Sequence, residues 1–159
     1  MPTADTIAPL LSELGITHVV WLPDSTLGTW ETALERAPGL ALVRVCREGE
    51  AWAVAAGLHL GGARPLVAIQ STGLFEAGDA LRNVVFDLGL PLYAVIGYRN
   101  YLIPTSPDTA RRLLEPIVAA WGIDSVLIRP GEEAELARHY RACSAAGRPG
   151  FALLAEGKG

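Results

Sequence analysis

The chain is poor in the residues that mark most familiar binding sites. Its 159 residues include two cysteines, Cys46 and Cys143. Neither lies beside a histidine or in a C-x-x-C pair, so they read as reduced structural thiols rather than a zinc cage or a disulfide framework. His18, His59 and His139 have no metal-type or triad spacing, and each reads as a satisfied or surface side chain. No G-x-G-x-x-G follows a strand, and neither a GxxxxGK[ST] loop nor a G-x-S-x-G elbow occurs. Asp24 alone does not supply the acidic cluster of a phospho-acceptor. Charged residues make up 19% of the chain and the net charge is −4, which excludes the basic footprint that nucleic acid needs. No run of like charges suggests a tail or a membrane patch. The apolar runs are shorter than a membrane span, and the start MPTADTIAPLL has no basic flank, so no membrane association and a cytoplasmic location are expected.

What is present is apolar and regularly spaced. Half of the residues are hydrophobic, enough for a sizeable core in one domain over residues 1–159. Short apolar runs at 18–22, 40–45, 66–69, 91–96, 125–128 and 151–154 read as strands. Between them, residues 6–14, 27–36, 48–60, the stretch after 73 to about 88, 109–120 and 131–146 carry helical patterns. Ser25 is the expected N-cap of the second helix and Gln70-Ser71-Thr72-Gly73 an expected turn. Strands that are continuously apolar are buried on both faces, and intervening helices supply the crossovers. The fold class is therefore α/β: three layers, doubly wound, with a mainly parallel sheet of about six strands. Ligands of such sheets sit at the carboxyl ends of the strands, which singles out the loops at 23–26, 46–49, 70–74 and 97–108.

The unusual stretch is VCREGEAWAVAAGLHLGG, residues 45–62, where two acids open a helix of mostly small residues. Acids in a first turn are favoured by the helix dipole, by roughly 0.3–1 kcal/mol, so capping alone would account for them. Glu48 also heads a stripe with Trp52, Ala55 and His59, which reads as a contact face. The small residues would let another backbone approach.

These residues carry a resemblance. REGEAWAVAAGLHLGGARPLVAIQSTGL resembles the pyrimidine-binding domain of thiamine diphosphate enzymes, nearest the branch that decarboxylates sulfopyruvate and phosphonopyruvate. An acid lies nine residues before the Gly of an A-A-G turn, here Glu48 and Gly57, and a strand then ends in Q-S-T-G-L. The upstream G-I-x-x-V-x-x-L-P-D-S (15–25) and downstream L-P-L-x-x-V-I-G-Y-R (90–99) also match. The resemblance implies that Glu48 hydrogen-bonds N1′ of the cofactor's aminopyrimidine, promoting the imino form that removes the thiazolium C2 proton. It implies cofactor contacts by Gln70, Ser71, Thr72, Gly73 and Leu74, and substrate contacts by Asp24 and Ser25. It also brings forward Arg99, a planar cation suited to a sulfonate or phosphonate. Glu50 is expected to be a solvated or capping acid.

The chain lacks the G-D-G that such enzymes follow, after roughly thirty residues, with an Asn to hold Mg2+ on the diphosphate. Asp79 follows Gly78, but Ala80 comes next, and no other Gly-Asp pair occurs. The resemblance is thus to the α subunit of a split decarboxylase, with no metal site of its own. Thiamine diphosphate would lie at the interface with a β subunit holding diphosphate and Mg2+, in a hetero-oligomer acting on a small 2-oxo acid. Two departures weigh against a sulfonate or phosphonate and leave another 2-oxo acid open: Asn100 where Gly often follows the Arg, and Phe75-Glu76 where Asn or Gly is common, since Glu76 would repel an anionic substrate. A non-catalytic α/β binding module of the same fold, or a flavodoxin-like nucleotide binder, stays open.

Overall fold

The computed structural model describes residues 1–22 and 24–157. Six parallel strands form one sheet in the order β2-β1-β3-β4-β6-β5. They are β1 (His18–Trp21), β2 (Ala41–Arg44), β3 (Pro65–Gln70), β4 (Tyr93–Tyr98), β5 (Asp124–Ile128) and β6 (Gly150–Ala155). The expected fold class holds, three layers included. The central strands β3, β4 and β6 are buried almost throughout, as continuous apolar runs require. The edge strands β2 and β5 are half exposed, because an edge has a neighbour on one side only. On β2 the open side carries Arg44, which pairs with Glu31 at 2.6 Å and with Glu35.

One face of the sheet is covered by α3 (Glu48–Leu60), α4 (Ser71–Glu76), α5 (Gly78–Arg82), a wide turn at Asn83–Asp87, and α6 (Thr109–Trp121). Trp52, Leu81 and Phe151 are fully buried in this layer, with the Trp52 and Phe151 rings 6.1 Å apart. Burying a side chain the size of Phe151 contributes about 2–3 kcal/mol. The other face is covered by α1 (Ala4–Glu13), a short 3-10 turn (Leu27–Trp30) continuing into α2 (Glu31–Arg36), and α7 (Glu133–Ala145). Trp21, Trp30, Leu11 and Leu34 fill that layer. No helix among the described residues is long and apolar enough to cross a membrane.

Three local expectations are corrected. The stripe Trp52–Ala55–His59 is no outward contact face: Trp52 and Ala55 are fully buried, because α3 lays that side on β1 and β3. The exposed side of α3 is instead Ala53, Gly57 and Leu60. Ser71-Thr72-Gly73 is not a turn but the first turn of α4, entered from extended Gln70 (φ −84°, ψ 164°). The cap after β1 is Asp24 rather than Ser25: its Oδ1 accepts the N–H groups of Thr26 and Leu27 at 2.6 and 2.7 Å. Pro23 of the same motif lies outside the described residues.

All three histidines lie toward the amino ends of the strands, away from the carboxyl edge. His18 opens β1 and bonds Thr17, and His59 ends α3. His139 bonds the Tyr93 hydroxyl at 2.8 Å and lies 3.5 Å from Asp124, with buried Cys143 3.7 Å away. Asp124 is held in turn by Arg148 at 2.7 Å. Burial raises the pKa of the Cys143 thiol, so it stays protonated and inert. Both cysteines are free, Cys143 buried and Cys46 exposed.

Candidate functional site at the carboxyl edge of the sheet

The strand order reverses between β1 and β3, so the loops after these strands diverge and leave a crevice. Two groups of residues meet along this edge.

The first surrounds Glu48. It is the first residue of α3, with Arg47 as the extended N-cap. The orphan N–H groups of that helix start go to the neighbouring acids. Glu50 reaches back to the Cys46 N–H at 2.9 Å, so it is the capping acid. Glu76 accepts from the Gly49 N–H at 3.2 Å and pairs with Arg47 at 3.3 Å. The Phe75-Glu76 departure therefore has a structural use: it closes α4 against the start of α3, and the Glu76 charge is spent there. Glu48, half-buried, has no hydrogen-bond or ion-pair partner among the described residues. Its side chain lies against Gly73, where a Cβ would come 2.5 Å from Oε1 and 2.7 Å from Cδ of Glu48. Gly73 is thus required by the close approach of a carboxylate, not by backbone strain. Ser71, two residues before it, is fully buried, and its hydroxyl has no partner among the described residues. Thr72 is exposed and donates to Gln70 Oε1 at 3.1 Å. Leu74 is wholly buried in the core, so its side chain serves packing.

The second group lines a pocket of about 550 Å³ formed by Asp24, Ser25, Thr26, Gln70, Arg99, Asn100, Ile103, Glu156 and Gly157. Asp24, Ser25, Gln70 and Arg99 are thereby brought together in one pocket. Arg99 is half exposed and its Nε pairs with Asp108 at 2.9 Å. Asp108 also accepts from Asn100 Nδ2 at 2.8 Å and caps α6 by accepting the Ala110 N–H. Asn100 has φ +57°, the left-handed region where Gly is most at ease and Asn is tolerated. That accounts for Asn standing where Gly is common.

Glu156 escaped the sequence analysis. It follows β6 and is 4% exposed, with Oε1 unpartnered among the described residues. Its carboxyl presses on Gly97, where a Cβ would lie 3.0 Å from Cδ. Desolvation, with the Asp24 charge nearby, pushes its pKa up to about 7, while the chain N-terminus and Arg99 pull the other way. Asp24 Oδ2 is likewise buried without a partner among the described residues. The available signal was an acid at the carboxyl end of the last apolar run, in LLAEG.

No protein-family model matches this chain. Over 90 residues it is 27% identical to the sulfopyruvate decarboxylase subunit alpha of Methanothermobacter thermautotrophicus, a stretch covering 57% of this chain and 54% of that relative. The match thus spans about half the length of the curated relative. Among solved structures, the benzoylformate decarboxylase of Polynucleobacter necessarius matches 97% of this chain with a TM-score of 0.70 and 23% identity. A putative thiamin diphosphate-dependent enzyme of Mycobacterium smegmatis matches 96% with a TM-score of 0.67 and 22% identity. The thiamine diphosphate-dependent 4-hydroxybenzoylformate decarboxylase of Rhodococcus jostii RHA1 matches 97%, also at 0.67, with 20% identity. Each match occupies 30% of the other chain. The fold is therefore one found as a domain in thiamine diphosphate-dependent decarboxylases, and over about half its length the sequence is similar to a sulfopyruvate decarboxylase alpha subunit.

Proposed function

We propose that this chain is the α subunit of a thiamine diphosphate-dependent 2-oxo acid decarboxylase, active only with a β chain that holds the diphosphate and Mg2+. The observation that carries this reading is the Glu48 carboxyl, unpartnered and seated on Gly73 beside the orphaned Ser71 hydroxyl. These are residues that fit an aminopyrimidine: an acid to hydrogen-bond a ring nitrogen, with small neighbours that leave room for a flat ring. When bound, thiamine diphosphate supplies the electron sink that lets a 2-oxo acid lose CO2. The chain's part is to hold a proton at the Glu48 carboxyl, in a half-buried position where its hydrogen bond is stronger than in open water. Gln70 and Thr72 border the ring site, and Asp24, Ser25 and Arg99 face the substrate. Arg99 supplies the cation for an anionic tail, and Asp108 fixes its direction. The non-catalytic alternative drew its support from Glu76, and that charge is taken up at the α3 start.

The partner reading draws on the alpha-subunit relative and on the exposed side of α3. Ala53 and Gly57 are exposed there, with nothing within 4 Å of a Cβ built on Gly57. Leu60 (71%), Phe86 (47%) and Leu88 (61%) are large apolar side chains left exposed on this layer, as is Leu113 (41%) on α6, and α3 touches the turn that carries Phe86. Ala53→Arg is expected to abolish co-elution with the β chain on size exclusion, while urea unfolding of the chain alone shifts by no more than about 0.5 kcal/mol. Unimpaired assembly would place the interface elsewhere.

The function is tested by combining the purified chain, its β partner, thiamine diphosphate and Mg2+ and measuring CO2 release. Sulfopyruvate should be turned over with kcat/KM about tenfold or more above phosphonopyruvate. A phosphonate, like a phosphate ester, carries about −1.5 to −2 charge at neutral pH against a sulfonate's single charge. The pocket already holds Asp24 and Glu156 opposite one neutralised Arg99. No CO2 from any 2-oxo acid tried would defeat the reading.

A further inference from the structure

We infer that Glu156 is a substrate-facing acid, which donates the proton that a decarboxylated 2-oxo acid must acquire. This rests on the decarboxylase reading above. Decarboxylation of a 2-oxo acid to an aldehyde, R–CO–COO⁻ + H⁺ → R–CHO + CO2, consumes one proton at the carbon that loses CO2. The C–C bond to the carboxyl group breaks, and its electron pair ends in a new C–H bond. The O–H bond of the donor breaks, its pair stays on the carboxylate, and solvent returns the proton. No redox partner is needed.

Such a donor must be protonated near neutral pH and aimed into the substrate pocket. The usual candidate, histidine, is missing there, because His18, His59 and His139 all lie toward the other edge of the sheet. Glu156 meets both conditions. It is 4% exposed, its Oε1 has no partner among the described residues, and it lines the pocket together with Asp24 and Arg99. Gln70, another wall of this pocket, leads directly into the start of α4, where Glu48 lies against Gly73. Glu156 Oε1 and Asp24 Oδ2 are buried carboxyl oxygens of two residues that line one pocket, and without a partner among the described residues they call for a shared proton or for ligand donors. The backbone fixes the acid in place. Its N–H bonds the Tyr98 carbonyl at 3.2 Å, and its carbonyl accepts from Leu102 at 2.8 Å. Gly97 leaves room for the carboxyl that no other residue would.

The charged groups facing Glu156 set the proton's hold. Asp24 on the β1 loop raises it, while Arg99 at the end of β4 and the amino group of Met1 lower it, with Asp108 on α6 partly cancelling Arg99. Burial dominates and brings the group to about 7.

The experiment has two arms. In the isolated chain, difference infrared spectroscopy should show a protonated-carboxyl band that titrates near pH 7 and is missing in Glu156→Gln. In the reconstituted complex, Glu156→Gln should lower kcat about 100-fold and remove the loss of kcat above neutral pH, with KM and thiamine diphosphate affinity unchanged. Asp24→Asn, which keeps the capping oxygen, should move that alkaline limb to lower pH. No band, or a Glu156→Gln complex with wild-type kcat and pH profile, overturns the inference while leaving the decarboxylase intact. A wild-type complex that binds no thiamine diphosphate and releases no CO2 defeats the decarboxylase reading instead. The inference about Glu156 as proton donor then falls with it, whatever the infrared titration gives.

Discussion

Glu48→Gln is expected to cut the rate of CO2 release by about 10²–10⁴-fold, the range attributed to a positioned acid or base. Gln is nearly isosteric and can still hydrogen-bond a ring nitrogen, but it cannot pass a proton. Cofactor affinity should therefore change little while kcat collapses, the pattern of a group whose contribution appears in the chemical step. Circular dichroism should be unchanged and stability lower by no more than about 1 kcal/mol, because Glu48 has no partner among the described residues and loses only its interaction with the α3 dipole. Gly73→Ala should reproduce the defect by another route. Its new Cβ would occupy the place of the Glu48 carboxyl, and the flexible acid gives way rather than the backbone. An alanine is otherwise welcome in a helix, so stability should hold to within about 1 kcal/mol. A double variant no worse than either single would show that both act on the same carboxylate.

Glu156 dominates the second expectation, which concerns stability. In the unfolded chain this carboxyl releases its proton near 4.5, but in the folded protein it keeps it up to about 7. The folded state thus holds more protons across that interval. The resulting stabilisation is fully present below the unfolded value and is lost as pH rises through 7. At 1.36 kcal/mol per tenfold change in proton affinity, the loss is on the order of 3 kcal/mol. Urea unfolding of the wild type should show this decline between about pH 5 and pH 8, added to whatever other groups contribute. Glu156→Gln should remove it, so that the variant is the more stable protein at about pH 8 and the advantage shrinks in acid. Parallel pH dependences in the two proteins would mean that Glu156 ionises in the folded state as it does in water.

Much of the fold was legible because buried strands leave unmistakable apolar runs. LVAI and YAVI could only sit in the middle of a covered sheet, and the helical stretches between them required parallel crossovers. The direction of the sheet then pointed to the loops after β1, β3 and β4, and Asp24, Ser25, Gln70 and Arg99 do share one pocket. Features set by tertiary contact were not legible. The stripe through Trp52 read as a contact face for a partner because a helical wheel does not reveal which side meets the sheet. Ser-Thr-Gly carried turn chemistry, yet Gly73 is there to admit the Glu48 side chain from another helix. Asp24 outcompeted Ser25 as the cap because its carboxylate reaches two N–H groups at once. Glu156 was hidden for a different reason. An acid just after a strand ordinarily belongs to a solvated loop, and only the close packing of β6 against Gly97 of β4 buries it.

The reading of Glu48 is tested most directly by proton NMR of thiamine diphosphate bound to the assembled complex, following exchange of the C2 proton for deuterium. The account predicts rapid exchange in the wild type, and in Glu48→Gln a rate at least about 100-fold lower, approaching that of the free cofactor, with binding retained. Equal exchange rates in the two complexes would contradict it.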